Sequence, residues 1–255
     1  MHKIFAFLLL AYSSNICTAN KPSIKASYTP DKIQLDGFLD EEVWSIADKA
    51  GGGFIQYEPR QGIPMSQKTE FMVVYDDMNI YFGVLVHDNE PGEIVASVME
   101  RDEVPYYDDS LFLAIDTMND NRNGYVLWTN LNGIKYDANV TNNSSLNSQW
   151  DGIWDVKTKR TKIGWQAEFK LPFSTVRHRE GMNSWGFNLW RKLPRNGEAG
   201  RWAGSRPEIR TYHFAQAGTI EGIQIKNKSL NLEFTPYVIG DSNDSNTSGD
   251  VGGDI

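Results

Sequence analysis

The chain has 255 residues, a formal net charge of −8 and one cysteine, Cys17. An acidic chain repels the phosphate backbone, which argues against a nucleic-acid partner. A lone cysteine excludes an internal disulfide and a cysteine-built metal site, so stability must come from core burial, which this length can supply.

Residues 1–19 read as a signal peptide. Lys3 gives the positive start, residues 4–12 the short apolar run, and Ser-Ser-Asn-Ile-Cys-Thr-Ala the small-residue cleavage region. The run is too short to cross a bilayer. Cleavage is expected after Ala19, with export to the periplasm, outer membrane or cell surface. The residues before Cys17 do not form a lipobox.

Residues 20–31 are a polar, extended lead-in with Pro22 and Pro30. Residues 40–47 predict a short helix. Asp40 is placed to cap it, Glu41 and Glu42 suit its first turn, and Val43, Trp44 and Ala47 share a face. Trp44 is then a core anchor. Residues 51–67 read as a loop; its three leading glycines follow no strand-to-helix pattern and do not suggest a phosphate site. Residues 69–75 and 80–87 alternate around a turn at 76–79 and predict a hairpin. A polar excursion follows at 91–103.

Residues 106–117 read Tyr-Tyr-Asp-Asp-Ser-Leu-Phe-Leu-Ala-Ile-Asp-Thr. Leu111, Leu113 and Ile115 take one face of a strand; Phe112 and Ala114 take the other. A strand apolar on both faces belongs in the middle of a β structure. Asp108, Asp109 and Asp116 close its ends, and Tyr106 and Tyr107 stand outside. Sugar rings present CH patches rimmed by hydroxyls, so aromatics beside carboxylates suit a saccharide site. The alternative is a core strand whose ends are merely solvated.

Residues 125–130 and 134–139 predict a second hairpin, turned by Asn132-Gly133. A polar loop at 141–148 leads to Trp150 and Trp154. Residues 153–158 and 165–171 form a further pair. Trp165, Ala167 and Phe169 share one face opposite Gln166, Glu168 and Lys170, which makes Trp165 core. Residues 172–176 suggest a single turn. In strand 185–193, Trp185, Phe187 and Leu189 oppose Asn188 and Trp190, with either set inward. A long Gly/Pro/Arg loop at 194–211 carries Trp202, and 219–225 closes the series. At least eight strands and one short helix give an all-β fold class, an antiparallel β-sandwich from about residue 24 to 227. Residues 230–239 alternate once more, and 241–254 are a Ser/Asn/Gly/Asp tract with Val251 as its apolar side chain.

His87, His178 and His213 are widely spaced and suggest no zinc site. No Gly-x-Ser-x-Gly elbow occurs. A glycosidase needs two carboxylates at a set separation, and no spacing singles out a pair. Calcium is open at two oxygen-rich loops: Asp116, Asn119, Asp120 and Asn123, and Asp241, Asn243 and Ser245. Neither has the pattern of a helix-loop-helix calcium site, and both also read as solvated turns. No cofactor is otherwise expected.

Several blocks together resemble the family 9 carbohydrate-binding modules. They are Ile-Gln-Leu-Asp-Gly-Phe-Leu-Asp-Glu-Glu-Val-Trp at 33–44, Tyr-Asp-Asp-Met-Asn-Ile-Tyr-Phe-Gly-Val-Leu-Val-His-Asp at 75–88 and Asp-Ser-Leu-Phe-Leu-Ala-Ile-Asp at 109–116. Gly-Trp-Gln-Ala-Glu-Phe-Lys-Leu-Pro at 164–172 and Trp-Gly-Phe-Asn at 185–188 complete them. Glu100-Arg-Asp-Glu103, Asp108-Asp-Ser110, Arg122-Asn-Gly-Tyr125 and Pro172-Phe-Ser-Thr-Val-Arg177 resemble exported bacterial proteins that carry such a module ahead of an outer-membrane β-barrel. Residues 230–238 resemble the first barrel strand of that group. The expected organisation is therefore signal 1–19, module 20–229, and a truncated barrel start or disordered tail at 230–255.

The resemblance implies a non-catalytic module that binds poly- or oligosaccharide between two aromatics. Tyr106 matches one, and Trp202 is the best match for the other. Asp109, Arg101 and Arg191 are expected near the rim, with Trp150 and Trp154 as reserve platforms beside the polar loop. The chain departs from the family in two places. Phe112 stands where a sugar-binding glutamate is found, and none of Val126, Leu127 and Trp128 supplies the arginine of the next strand. Two other readings stay open: a structural periplasmic domain of the barrel without sugar affinity and, weakest, a glycoside hydrolase.

Overall fold

Two β-sheets pack face to face in the computed structural model, which describes residues 21–204 and 212–225. The expected signal peptide, barrel strand and second calcium loop lie outside those residues. The larger sheet follows the order β1 (Ser23–Lys25), β15 (Gly218–Glu221), β13 (Ser184–Leu193), β7 (Ser110–Asp116), β8 (Gly124–Asn130), β9 (Tyr136–Thr141) and β10 (Ser145–Asn147). Beside β13 lies β14 (Glu198–Arg201), which also pairs with β4 (Ile55–Glu58). The smaller sheet runs β11 (Asp155–Thr161), β12 (Gly164–Pro172), β6 (Asn79–His87), β5 (Thr69–Tyr75) and β2 (Ser27–Tyr28), with β3 (Lys49–Gly51) on β5.

The alternation of apolar residues fixes which faces meet. Phe71 and Phe82 of the smaller sheet lie 5.4 and 5.2 Å from Phe187 of the larger. Trp165 is buried in the same core. β7 is central, hydrogen-bonded to β13 on one side and β8 on the other. Leu111, Leu113 and Ile115 face the sandwich core; Phe112 and Ala114 belong to a second apolar layer on the outer face. In β13, Trp185, Phe187 and Leu189 point inward and Trp190 outward.

The sheets are mixed, not wholly antiparallel. The polar lead-in supplies β1 to one sheet and β2 to the other, parallel to β15 and β5. Three segments expected as loops also hold strands. β4 and β14 are four residues each and β10 is three, too short to show a period in sequence.

The helix α1 spans Glu42–Ile46. Val43, Trp44 and Ala47 pack on Met72, Val74 and Tyr81 of the smaller sheet's outer face. Asp40 does not cap it. Glu41 takes that position without a side-chain cap, and its Oε1 accepts the Gln34 N–H at 2.9 Å. Packing holds so short a helix, since one turn gains little by itself. Gly83 lets Trp44 lie flat, because a Cβ there would meet the indole at 2.8 Å.

The same covering segment buries Glu168, which alternation alone placed on a wet face. Glu168 is 0 % exposed. Its Oε2 accepts the N–H groups of Asp36 and Gly37 at 3.1 and 3.2 Å. Burial outweighs those bonds and pushes its carboxyl from 4.5 up to about 7. The folded state thus holds this proton more tightly than the unfolded chain. Its contribution is greatest below pH 4.5 and declines as pH rises towards 7. Glu168→Gln should therefore stabilise the protein at pH 8 by up to about 3 kcal/mol and flatten the stability–pH curve. Urea melts at pH 5 and 8 check this, and equal slopes for both proteins would remove the assignment.

Asp108, Asp109 and Asp116 are neither solvated ends nor a carboxylate cluster at an open mouth. All three are buried. Asp108 accepts from Ser97 N–H and Oγ, Val98 N–H and Asn130 Nδ2 at 2.6–3.0 Å. Burial pulls its carboxyl up, but those donors together hold it below the ordinary value. Asp109 and Asp116 have fewer compensating bonds, and burial raises both. These carboxylates pin the loops that flank β7.

Candidate functional site

The outer face of the larger sheet carries an aromatic row. Strand register sets Arg201 beside Trp190, Trp190 beside Phe112, Phe112 beside Trp128, and Trp128 beside Tyr136. Five side chains on five neighbouring strands thus lie in line across β14, β13, β7, β8 and β9, each about 4.8 Å from the next. Phe112 and Trp128 meet edge to face at 5.3 Å, Trp128 and Tyr136 at 6.1 Å. Tyr57 of β4 packs edge-on to Trp190 at 4.8 Å. The Arg201 guanidinium lies 4.6 Å from the Trp190 ring and 5.8 Å from Tyr57. Burial, with Glu58 nearby, raises the Tyr57 hydroxyl far above its usual value, so it stays protonated.

A small pocket of about 100 Å³ opens on this row. Trp190, Phe112 and Trp128 line it from the sheet; Tyr57 and Tyr106 line it from the flanking segments. Tyr106 is 50 % exposed, and Tyr107 packs edge-on against it at 5.2 Å. The Lys192 ammonium sits 3.2 Å from the centre of the Tyr106 ring. Burial pulls that amine below its usual value. Five buried polar atoms of the lining residues have no hydrogen-bond partner: Ser110 Oγ, Trp128 Nε1, Trp190 Nε1 and, on the inward-facing side chain, Arg191 Nε and Nη2. The indole nitrogens of Trp44, Trp165 and Trp185 are likewise unpartnered inside the core, so it is the gathering of rings around an open hollow that distinguishes this pocket. Two larger hollows, of about 380 and 270 Å³, have no aromatic row; one has no ring in its lining and the other has Tyr125.

Of the seven residues expected at a ligand site, the structure places Tyr106 at this pocket with its ring exposed. Trp202 does not face it. Its ring packs inward on Phe71 at 5.0 Å and Phe187 at 6.0 Å. The reason is strand parity: Arg201 shares the outer face with Trp190, and the next residue turns to the core.

Arg191 shows the same parity. Its backbone borders the pocket, but its guanidinium is buried and binds Lys68 O and Thr69 Oγ1 at 3.0 and 3.2 Å. Asp109 is buried with its Oδ2 on the Val95 N–H, not at a rim. Arg101 pairs with Asp137, Asp102 and Asp151, near the end of β9. Trp154 is core and donates its Nε1–H to Asp137 at 2.6 Å. Trp150 packs on Tyr125 at 4.7 Å, away from the pocket lining.

Sequence reasoning therefore missed Tyr57, Ser110, Phe112, Trp128, Trp190 and Lys192 as residues of this candidate pocket, and Arg201 at the end of its row. Two signals point to them: the alternation in β13 that sets Trp190 against Trp185, and the resemblance that puts Phe112 and Trp128 at the positions of sugar-contacting residues. Tyr57 and Arg201 have none, because strands of four residues show no period in sequence.

The loop expected as a calcium candidate is closed by its own backbone. Asp116 accepts the N–H groups of Asp120 and Asn121 at 3.3 and 2.7 Å. Asp120 accepts those of Arg122 and Asn123, both at 2.8 Å. Among the described residues no group of three or more His, Cys, Asp or Glu is placed to hold a metal ion.

Residues 35–200 match the family model described as carbohydrate family 9 binding domain-like. No curated protein matches the chain. Among solved structures, a putative carbohydrate-binding protein from Bacteroides uniformis is similar at a TM-score of 0.63 and 12% identity, covering 79% of this chain and 99% of its own. A family 9 carbohydrate binding module from Caldicellulosiruptor kristjanssonii, in complex with glucose, is similar at 0.55 and 16%, covering 83% and 99%. The same module in complex with cellotriose gives 0.55 and 16%, covering 84% and 100%. At these identities the likeness to solved structures is one of fold, a β-sandwich. The family match, which spans more than half of the sequence, shows that this chain belongs to the carbohydrate family 9 binding domain-like family.

Proposed function

We propose that the chain is a non-catalytic carbohydrate-binding module and that the pocket over the aromatic row is its binding site. One observation carries this: an exposed tyrosine beside a row of ring side chains at an open pocket. Rings offer a flat face to the CH side of a sugar, and polar atoms orient its hydroxyls. Related modules seen with glucose and cellotriose support a saccharide ligand. Among the described residues, none of those lining the pocket is acidic, which favours binding over glycoside hydrolysis.

The module is exported and sits ahead of an outer-membrane barrel, in carbohydrate uptake or catabolism. The signal-like residues 1–19 and the barrel-like residues 230–238 support that reading. Cell fractionation that leaves the protein in the cytosol would overturn it.

A glycan array on residues 20–229 tests the binding function directly. Tyr106→Ala should cost about 1–3 kcal/mol of saccharide affinity, the scale of one stacking ring. It should leave thermal melting nearly unchanged, because half of the ring is in solvent. Calorimetric titration with soluble oligosaccharides reads the loss, and unchanged affinity would take Tyr106 out of the site. A second reading is a structural domain of the barrel assembly without sugar affinity. What favours it is the burial of Phe112, Tyr136 and Trp190 under partly buried Val98, Tyr57 and Tyr212. An array without a hit would select it.

A further inference from the structure

We propose that the pocket selects saccharides bearing an anionic substituent, a uronate carboxylate or a sulfate ester. This rests on the carbohydrate-binding reading above and adds the class of ligand. Size is the first argument. At about 100 Å³ the pocket is well below the roughly 300–1,000 Å³ of sites that enclose a whole ligand. It takes a substituent or the edge of a terminal ring, while the rest of the saccharide lies outside against Tyr106.

The second argument is the hydrogen-bonding character of the lining. Lys192 offers an ammonium with donors alone. The indole N–H groups of Trp128 and Trp190 and the Ser110 hydroxyl are unpartnered but lie buried behind the rings, so the ammonium is the group that meets a ligand first. No Asp, Glu, Asn or Gln lines the pocket among the described residues. A neutral sugar hydroxyl both donates and accepts, and such a lining leaves its proton poorly served. A carboxylate or sulfate only accepts, and it matches the ammonium.

Charge is the third. The chain as a whole is acidic, yet Lys192 at this pocket makes no hydrogen bond or ion pair among the described residues. Glu58 acts on it at longer range without forming an ion pair. The ammonium rests on the Tyr106 ring, where it is held at the mouth and stays available to an incoming anion.

The test is calorimetric titration of the purified chain with three oligosaccharides of matched length: a neutral cello-oligosaccharide, an oligogalacturonate and a sulfated oligosaccharide. The expected result is that at least one acidic ligand binds about tenfold more tightly than the neutral one at low salt. The gap should narrow in about 0.5 M sodium chloride, where exposed charges are screened. Whichever acid binds better identifies the substituent. Lys192→Met should pull the acidic-to-neutral affinity ratio towards one, and Lys192→Arg should keep it well above one; melting curves confirm that both variants fold. Equal or tighter binding of the neutral ligand overturns the anionic preference and leaves the carbohydrate-binding reading standing. So does a ratio untouched by Lys192→Met. Absence of binding to all three, together with an empty glycan array, overturns the carbohydrate-binding reading itself.

Discussion

Trp165→Ala is expected to lower the unfolding free energy by about 3–5 kcal/mol, the range for truncating a large buried ring. The indole is 1 % exposed and lies in the layer between the two sheets. Its strand, β12, is paired on both sides, opposite Val86 of β6 and Arg160 of β11. Neighbours fixed by two ladders cannot collapse into the void, so the cost should fall in the upper part of the range. Its Nε1 has no partner, so the loss is one of packing and not of a hydrogen bond. Trp165→Phe keeps much of the volume and should cost far less. Urea denaturation followed by fluorescence gives both values; a loss under 1 kcal/mol for the alanine variant would mean the core is looser than described.

Arg191→Met should cost a similar amount, about 3–5 kcal/mol, for an electrostatic reason. The guanidinium is 2 % exposed and binds Lys68 O and Thr69 Oγ1, with Asp88 Oδ2 at 3.8 Å. Asp109 shares its field. Burial pulls Arg191 down to about 10, which still leaves it charged at neutral pH. Methionine fills much the same space but strands two buried carboxylates. Arg195, on Asp88 at 2.9 Å, compensates in part. Burial already raises the Asp109 carboxyl, and loss of Arg191 raises it further. A group raised in the folded state favours folding more as pH falls, so the variant should recover part of its deficit as pH falls from neutral towards the ordinary carboxylate range. A deficit independent of pH would show that packing, not charge, had been lost.

These two residues also show what could be read before the fold was known. Trp165 sits in a clean alternation, and period alone assigns it to the core. Arg191 sits in an equally clean alternation, yet its type suggested a rim. What decided its place was the register that sets it between Leu111 and Gly200, on the face that looks into the sandwich. Trp202 was misjudged for the same reason. Hairpins, the central strand and the short helix were legible because each is local. The site was not, because its row exists only when five strands from distant parts of the chain are aligned. Glu168 and the three aspartates around β7 were read as wet because sequence does not reveal which loop will lie over them.

The parallel pairing of β1 with β15 has a mechanical side. Ser23 lies beside Thr219 and Lys25 beside Glu221, so the first and last described strands run side by side in the same direction. A pull between the two ends of the domain draws β1 towards its start and β15 towards its finish. The strands are then made to slide along each other, and the hydrogen bonds between them, which run across the direction of pull, share the load at once. A hairpin pulled at its open ends peels one bond at a time; this arrangement resists like a clasp. Tension applied between the segment entering β1 and the segment leaving β15 would therefore meet the whole ladder from Ser23–Thr219 to Lys25–Glu221 at once.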